Sequence, residues 1–454
     1  MEKKNQNRRA GGLRLALALL ITASAAANSM VAPVSAETTG KLNMPKALPK
    51  KRIGARTTYT PDLLLVMPSR NAEDDDIKKA LEDANGTVIG TMGEGRLKCL
   101  IVRTEKGKLE QTEKKLKKDS KHFATIGRNY KLGAHFIPND SSFPSQWHLP
   151  AINCPKAWDD SRGGLTKIAI FDTGCQANIA DLSGKTQKGY DATTVGARLT
   201  VLAGPGPLGD IAGAIGGALS KGAQEDVHGH GTWVATTAAA TANNSTNTAG
   251  VAPGATVYPV QIAGSDGQTD DIAIMAGLLN MLATGNRIVN ISYGAAPPFG
   301  LTNALIHAPL HAYMQEFHDL KGGLIFLSSG NDGSFDPNPP QHYYNVVTAI
   351  DNTMTLADFS NYGMSTTFTA PGAGILCSDR DGTVKSVNGT SFSSPVVAGI
   401  AALIWNANPA LPNVWVEHIL KASAIKAGSS PWTHYYGYGM PDARKAVKMA
   451  RGGL

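Results

Sequence analysis

Lys167-Ile168-Ala169-Ile170-Phe171-Asp172-Thr173-Gly174 is a short apolar run that ends on an acid and a turn-forming glycine. Consecutive apolar residues without alternation predict a strand buried on both faces, as in a parallel sheet. Four more such runs follow, at Thr256 to Ile262, Ile288 to Ser292, Gly323 to Ser328 and Val346 to Ile350. Between and after them, Gly231 to Ala240, Asp270 to Ala283, Ala304 to Leu320 and Ser391 to Ala407 carry the small and apolar residues of helices. Alternating strands and helices predict an α/β fold of three layers, with a mainly parallel central sheet covered on both faces. Residues 196 to 224, rich in Gly and Ala, read as a loop insertion.

Upstream the order changes. Leu63 to Val66 reads as a strand and Asp74 to Ala84 as a helix with Ile77, Leu81 and Ala84 on one face. Val88 to Thr91 and Leu97 to Val102 follow as strands, Leu109 to Lys118 as a helix and Phe123 to Ile126 as a last strand. The sequence β-α-β-β-α-β predicts a small α+β ferredoxin-like domain over residues 59–135, ahead of a larger domain over 136–454. Residues 37–58 lack an apolar period and read as a linker. Residues 1–36 read as an export signal: Lys3, Lys4, Arg8, Arg9 and Arg14 precede or enter an apolar run, and Val34-Ser35-Ala36 offers a cleavage site. An uncleaved membrane anchor is the competing reading, but the run is short and Asn28 and Ser29 interrupt it. The expected product is therefore secreted, outside the cell or in a periplasm, and free of the membrane.

With 454 residues, 42% of them hydrophobic, the chain can build two folded units and a sizeable core. Its net charge of +7 is unevenly placed: residues 1–136 hold 26 Lys and Arg against 14 acids, and the rest 17 against 22. A nucleic-acid partner would need cations clustered on the working domain, so that class is set aside. Cys99, Cys154, Cys175 and Cys377 are too few for a disulfide framework. Cys175 or Cys377 as a nucleophile is a sharper alternative, yet neither has a histidine nearby in sequence, and small buried thiols are commoner.

The chemistry gathers at element ends. Asp172 closes the first strand, where a buried carboxylate demands a cation or a donor. His230 lies in His228-Gly229-His230-Gly231-Thr232-Trp233 as a helix begins; a neutral imidazole there can take a proton from a hydroxyl while a carboxylate fixes its tautomer. Metal binding by His228 and His230 is the rival, but Thr232 stands where the acid of an HxHxD motif would be. Ser391, in Asn388-Gly389-Thr390-Ser391-Phe392-Ser393-Ser394-Pro395, opens a long apolar helix whose first N–H groups can receive negative charge. Ser393 and Ser394 compete with it for a nucleophilic role. Asn331, in Ser328-Ser329-Gly330-Asn331-Asp332-Gly333, could donate its amide to an oxyanion. Taken singly, each has an ordinary turn or capping reading.

In the order Asp, His, Asn, Ser, these blocks resemble the subtilisin-like serine proteases, peptidase family S8, from about Pro138 to Val447. That order is the family's own hallmark and not a deduction from this chain. Ala249-Gly250-Val251-Ala252-Pro253, Asn290-Ile291-Ser292-Tyr293-Gly294, Phe359-Ser360-Asn361-Tyr362-Gly363 and Gly437-Tyr438-Gly439 agree as well. Two positions depart: Trp233 stands where the family usually has a second His, and Phe392-Ser393 where it usually has Met-Ala.

The resemblance implies a serine endopeptidase, with Asp172, His230 and Ser391 as triad and Asn331 as oxyanion donor. It implies that polypeptide substrate pairs with Ser292-Tyr293-Gly294 on one side and with Gly264 to Gly267 on the other, while Ser328 and Gly330 wall the pocket. Residues 59–135 then resemble the family's inhibitory propeptide, cut off between about Lys131 and Pro138, and the enzyme is expected to be a monomer. Ile137 to Gln146, Asp181 to Lys185 and Asn243 to Thr248 resemble the thermitase branch, which implies Ca²⁺ at Asp140, Asp181 and Asn244. The alternatives are solvated turn acids at that loop, an inactive binding scaffold for the whole chain, and a secreted metal-dependent hydrolase.

Overall fold

The computed structural model describes residues 59–130, 136–198, 222–294, 296–297, 300–427 and 429–452. The export signal, the linker, residues 131–135 of the expected maturation segment and most of the 196–224 insertion lie outside them.

Residues 59–130 run β1 (Tyr59–Pro68), α1 (Asp74–Asp83), β2 (Gly86–Met92), β3 (Cys99–Thr104), α2 (Leu109–Leu116), β4 (Phe123–Tyr130). The strands pair antiparallel in the order β2-β3-β1-β4. On one face Leu64 and Val66 lie opposite Val102 and Leu100, and α1 and α2 cover them with Ile77, Leu81 and Leu116. This piece has its own apolar cluster, whose largest contributors are Leu64, Leu81, Leu116 and Phe123. The β-α-β-β-α-β order expected from the sequence is the order found.

The larger part is built on β5 (Lys167–Asp172), β6 (Tyr190–Asp191), β7 (Thr256–Gln261), β8 (Ile288–Ile291), β9 (Leu324–Ser328), β10 (Asn345–Ile350) and β11 (Thr366–Pro371). They form one parallel sheet in the order β11-β10-β9-β8-β5-β7-β6. Alternate residues feed two cores. Ile168, Ile170, Ile288, Leu324 and Phe326 face one apolar cluster, and Ala169, Phe171, Val289, Ile291, Ile325 and Leu327 face the other. The first side is covered by α3 (His230–Ala239) and α6 (Thr390–Ala407), the second by α4 (Asp271–Ala283) and α5 (Ala308–Asp319). Helices α7 (Asn413–Ser423) and α8 (Ala443–Ala450) pack behind α6. Among the described residues α6 is the one helix long and apolar enough to cross a membrane, and it is buried inside the fold.

Leaving β5, the chain forms β6 and then β7 on one side and crosses to β8 on the other. A parallel sheet whose strand order reverses this way opens a crevice at its carboxyl edge, beside the ends of the two strands that part. Asp172 and Ser292 are at that edge, with Ser328 beyond them on β9.

The five strands expected from apolar runs are present. Helix α5 starts at Ala308 rather than Ala304, because Pro309 fits a first turn but would break a helix already under way. Helix α4 carries Gly277 against the sheet, where an added Cβ would lie 2.4 Å from the Phe171 ring and 2.9 Å from Val260. Gly277→Ala is therefore expected to destabilise by about 1–3 kcal/mol through overpacking, although alanine is the better helix former. A urea midpoint that rises instead would refute this packing.

Candidate active site

The acid at the end of β5 is fully buried, and its Oδ1 accepts from His230 Nδ1 at 2.8 Å and from the Thr173 N–H at 2.8 Å. Its Oδ2 is buried without a partner. His230 is the first residue of α3, and Gly229 before it, at φ 107°, supplies the left-handed turn that aims the imidazole at the sheet edge. Gly231 then passes so close to β5 that a Cβ would meet Gly174 O at 2.0 Å.

A second carboxylate, Asp226, is 3% exposed and holds this corner together. Its Oδ1 accepts from Thr173 Oγ1 at 2.8 Å, Gly229 N at 2.8 Å and His228 N at 3.1 Å. Its Oδ2 accepts from Thr232 N at 2.8 Å and Thr232 Oγ1 at 2.7 Å. One side chain thus ties the strand end to the start of α3. Burial acts to lower the His230 pKa, but the charge and hydrogen bond of Asp172, together with the charge of Asp226, leave it raised above its ordinary 6.5.

Four rings stand around that imidazole: His228 at 6.4 Å, Trp233 at 6.1 Å, Tyr293 at 6.0 Å and Phe392 at 5.8 Å between centroids. Trp233 is itself fixed, donating through Nε1 to Asp379 at 2.9 Å, with Lys385 Nζ 3.9 Å above its ring. Burial, then the neighbouring acids, push the Tyr293 phenol well up, so it stays neutral.

Ser391 is the second residue of α6 and is 8% exposed, while Ser393 and Ser394 are fully buried. Ser393 Oγ donates to Ala370 O at 3.0 Å and Ser394 Oγ to Asn290 Oδ1 at 2.6 Å, so neither hydroxyl is available. Asn290 passes the chain on to Ser292 Oγ at 2.9 Å, which donates to Ser391 O at 2.8 Å. This string locks the start of α6 to the end of β8. Ser391 Oγ itself donates to Ser292 O at 3.4 Å rather than to His230.

Asn331 follows β9 and accepts through Oδ1 from Thr390 N at 2.9 Å and Thr390 Oγ1 at 3.0 Å. With the oxygen spoken for, the amide Nδ2 is the donor left to face the cleft. Behind it, buried Asn361 accepts from Asp332 N and Ser334 N, both at 2.9 Å, and donates to Asp332 Oδ2 at 3.0 Å. Gly330, at φ 99°, is the only residue type that fits, since a Cβ would lie 2.3 Å from Asn361 Nδ2.

These elements converge on a cleft of about 320 Å³ lined by His228, His230, Gly267, Ser292, Tyr293, Gly294, Ser328, Gly330, Asn331 and Ser391, with Ala296 and Asp332. Of the expected site residues, Gly264 does not line it; its carbonyl accepts from Gly267 N at 3.1 Å in the turn that presents Gly267. Cys154, Cys175 and Cys377 are fully buried free thiols whose pKa values burial pushes up, which removes the cysteine nucleophile. Sequence reasoning missed Asp226, Thr390, Asn361 and Asp379 as positioning residues. Thr390 and Asn361 stood inside blocks already singled out, but a lone acid after an irregular loop gives no signal of its own.

Away from the cleft, Asp140 and Asp181 converge on the loop 243–248. Asp140 Oδ2 accepts from Asn243 N at 2.6 Å while its Oδ1 is buried without a partner. Asp181 accepts from Asn244 Nδ2 at 3.0 Å, Thr248 N at 3.1 Å and Ser378 Oγ. Burial and then the charge of Asp181 push the Asp140 carboxyl up.

The family model described as the subtilase family, peptidase S8, matches residues 163–439. Thermitase of Thermoactinomyces vulgaris is 30% identical over 316 residues, 69% of this chain and all of thermitase. Subtilisin BL of Lederbergia lenta is 34% identical over 66% of this chain and 98% of its own. Among solved structures, a protease of Pseudoalteromonas arctica superposes with a TM-score of 0.55 at 26% identity, covering 69% of this chain and all of that one. The epidermin leader peptide processing serine protease of Staphylococcus aureus gives 0.56 at 20% identity over 86% of this chain and 98% of that one, a likeness of fold.

Imidazole titration by NMR tests the electrostatics. Asp226→Asn removes one of the charges that raise the His230 pKa, so that pKa should fall. An unchanged or higher value would rule out the role given to Asp226.

Proposed function

Since the chain belongs to the subtilase family, the subtilisin-like serine proteases, we propose that it is an exported endopeptidase. It is made as a self-processing precursor and cuts polypeptides through an acyl-enzyme. What carries this reading is the buried Asp172–His230 hydrogen bond at 2.8 Å beside Ser391 in a cleft whose donor Asn331 is held from behind.

Ser391 Oγ attacks the peptide carbonyl, and His230 Nε2 takes its proton and returns it to the leaving amine. Asp172 holds Nδ1–H and so keeps Nε2 as the base. Asn331 Nδ2 and the Ser391 N–H, an unsatisfied donor of the first helical turn, receive the oxyanion. Ser391 Oγ donates to Ser292 O rather than to His230 here, and such catalytic bonds tighten once substrate is in place. Extended substrate lies along Ser292-Tyr293-Gly294 and the Gly267 turn, reading backbone more than side chain. Specificity is then broad, with a preference for large apolar side chains before the cut.

Residues 59–135 act as the inhibitory propeptide, a role supported by their separate core. Cleavage between about Lys131 and Pro138 releases an enzyme from 136 to 454, secreted under the signal of residues 1–36 and working as a monomer. The carboxylates of Asp140 and Asp181 suit Ca²⁺, and Asp140 Oδ1 is an orphan that a hard cation would satisfy; Asn244, whose amide nitrogen now faces Asp181 while its oxygen accepts from Thr246, would join them by turning that oxygen toward the ion. Bound there, the ion would tie the 243–248 loop to residues far from it in sequence.

Ser391→Ala should leave the precursor uncut and unlabelled by a fluorophosphonate. Maturation of that variant, in a preparation free of other proteases, would overturn the assignment. The acid limb of kcat/KM should lie above pH 6.5, because activity needs neutral His230 and its pKa is raised. Chelation should lower the thermal midpoint of the parent enzyme but not that of Asp140→Asn. Equal behaviour of the two would remove calcium from this loop.

A further inference from the structure

Away from the cleft and the 243–248 loop, we propose a zinc site formed by His318, Asp319 and His342, at the C-terminal end of α5 and the loop that leads into β10. Among the described residues these are the His, Cys and acidic side chains that gather closely enough to share an ion, each offering an atom within 4.8 Å of the other two. Asp319 Oδ1 stands 2.7 Å from His318 Nδ1 and 3.3 Å from His342 Nε2. The imidazoles are set edge to face, 5.4 Å between centroids at 81°, so both rings turn a nitrogen toward the shared carboxylate.

Two imidazoles and a carboxylate are the donor set of a late first-row divalent ion, with zinc the common choice. Ligand bonds of about 2.0–2.2 Å need donor atoms roughly 3.0–3.5 Å apart. The carboxylate sits 2.7 and 3.3 Å from the two nitrogens and the nitrogens lie within 4.8 Å of each other, so shifts of up to roughly an ångström would seat the ion. Asp319 is 40% and His342 56% exposed, which leaves the fourth position open to water, while His318 is 7% exposed and rigid.

The frame behind the three residues is firm. Phe317 beside His318 is fully buried, and buried Asn413 donates to His318 O at 2.9 Å and to Gly323 O at 3.1 Å. On the other side, Tyr343 is 6% exposed and packs its ring 5.2 Å from His342. The Nε2 of His318 is buried without a partner, so the orientation of that ring rests on what its Nδ1 meets. Asp319 also accepts from Gln315 Nε2 at 3.3 Å, a second contact that steadies the carboxylate. An ion here would clip the end of α5 to the entry of β10, across the intervening strand β9. It touches none of the residues of the cleft, so this inference does not rest on the proposed catalysis.

The test uses the full chain carrying Ser391→Ala, which suppresses self-digestion, with calcium in excess throughout. Co²⁺ should give a saturable visible d–d band at one equivalent, displaced by Zn²⁺. Saturating Zn²⁺ should raise the thermal midpoint by about 2–4 °C. His342→Ala, a change at an exposed position, should lose both effects while keeping the metal-free midpoint. Asp319→Asn should weaken cobalt binding, and His228→Ala should retain both effects. Absence of a saturable band or of a zinc-dependent shift would overturn the site. So would their survival in His342→Ala, or their loss in His228→Ala, which would move the ion to the cleft.

Discussion

A carboxylate with no exposure at the end of a central strand is tolerable only when donors meet it, and the geometry around Asp172 follows from that requirement. The Thr173 N–H and His230 Nδ1 both reach Oδ1, and Oδ2 remains buried without a partner. An unpaired buried oxygen costs on the order of 1–3 kcal/mol. Such a cost persists where it does chemical work, and here it keeps negative charge concentrated behind one imidazole. Asp226 adds a second charge but is saturated by five donors, so it contributes field and geometry without strain of its own.

Parallel topology explains why these groups meet. Every strand of the central sheet delivers its carboxyl end to the same edge, and α3 and α6 begin there. Helix N-termini bring partial positive charge and unsatisfied N–H groups. At Ser391 that suits a developing oxyanion. At His230 it opposes protonation, as burial does, and the two acids are what reverse the balance. The raised pKa is therefore a small difference between opposing effects, which makes it adjustable by single substitutions near the ring.

Much of this was legible in the sequence because a doubly covered parallel strand must be apolar throughout. Ile168 to Phe171 and Leu324 to Leu327 announce themselves that way. Strand β11, Thr366–Pro371, did not: three of its six residues are threonines, and its apolar content is Phe368, Ala370 and Pro371. Helices α7 and α8 mix charge and apolar residues over short spans, and tertiary packing behind α6 decides them. Motif blocks marked Asp172, His230, Asn331 and Ser391, since each has a glycine within two residues, where backbones approach closely. The partners that hold those blocks come from elsewhere in the chain. Asp379 reaches Trp233 across 146 positions and Asn361 reaches Asp332 across 29, and nothing in local spacing reports such contacts. His318 and His342 are separated in the same way.

The two departures from the family pattern make sense as a pair. A tryptophan at 233 places an indole against His230, and Asp379 and Lys385 hold that indole by its N–H and its face, while the titratable ring beside His230 is that of His228. Phe392 sets a further apolar ring near the imidazole, with Tyr293 completing the enclosure. These rings leave the His230 side chain 19% exposed. In such a low-dielectric surround the Asp172 charge acts on His230 more strongly than it would in water. Replacing either ring by a smaller polar side chain would admit solvent and weaken that coupling without touching a single atom of the proposed proton path.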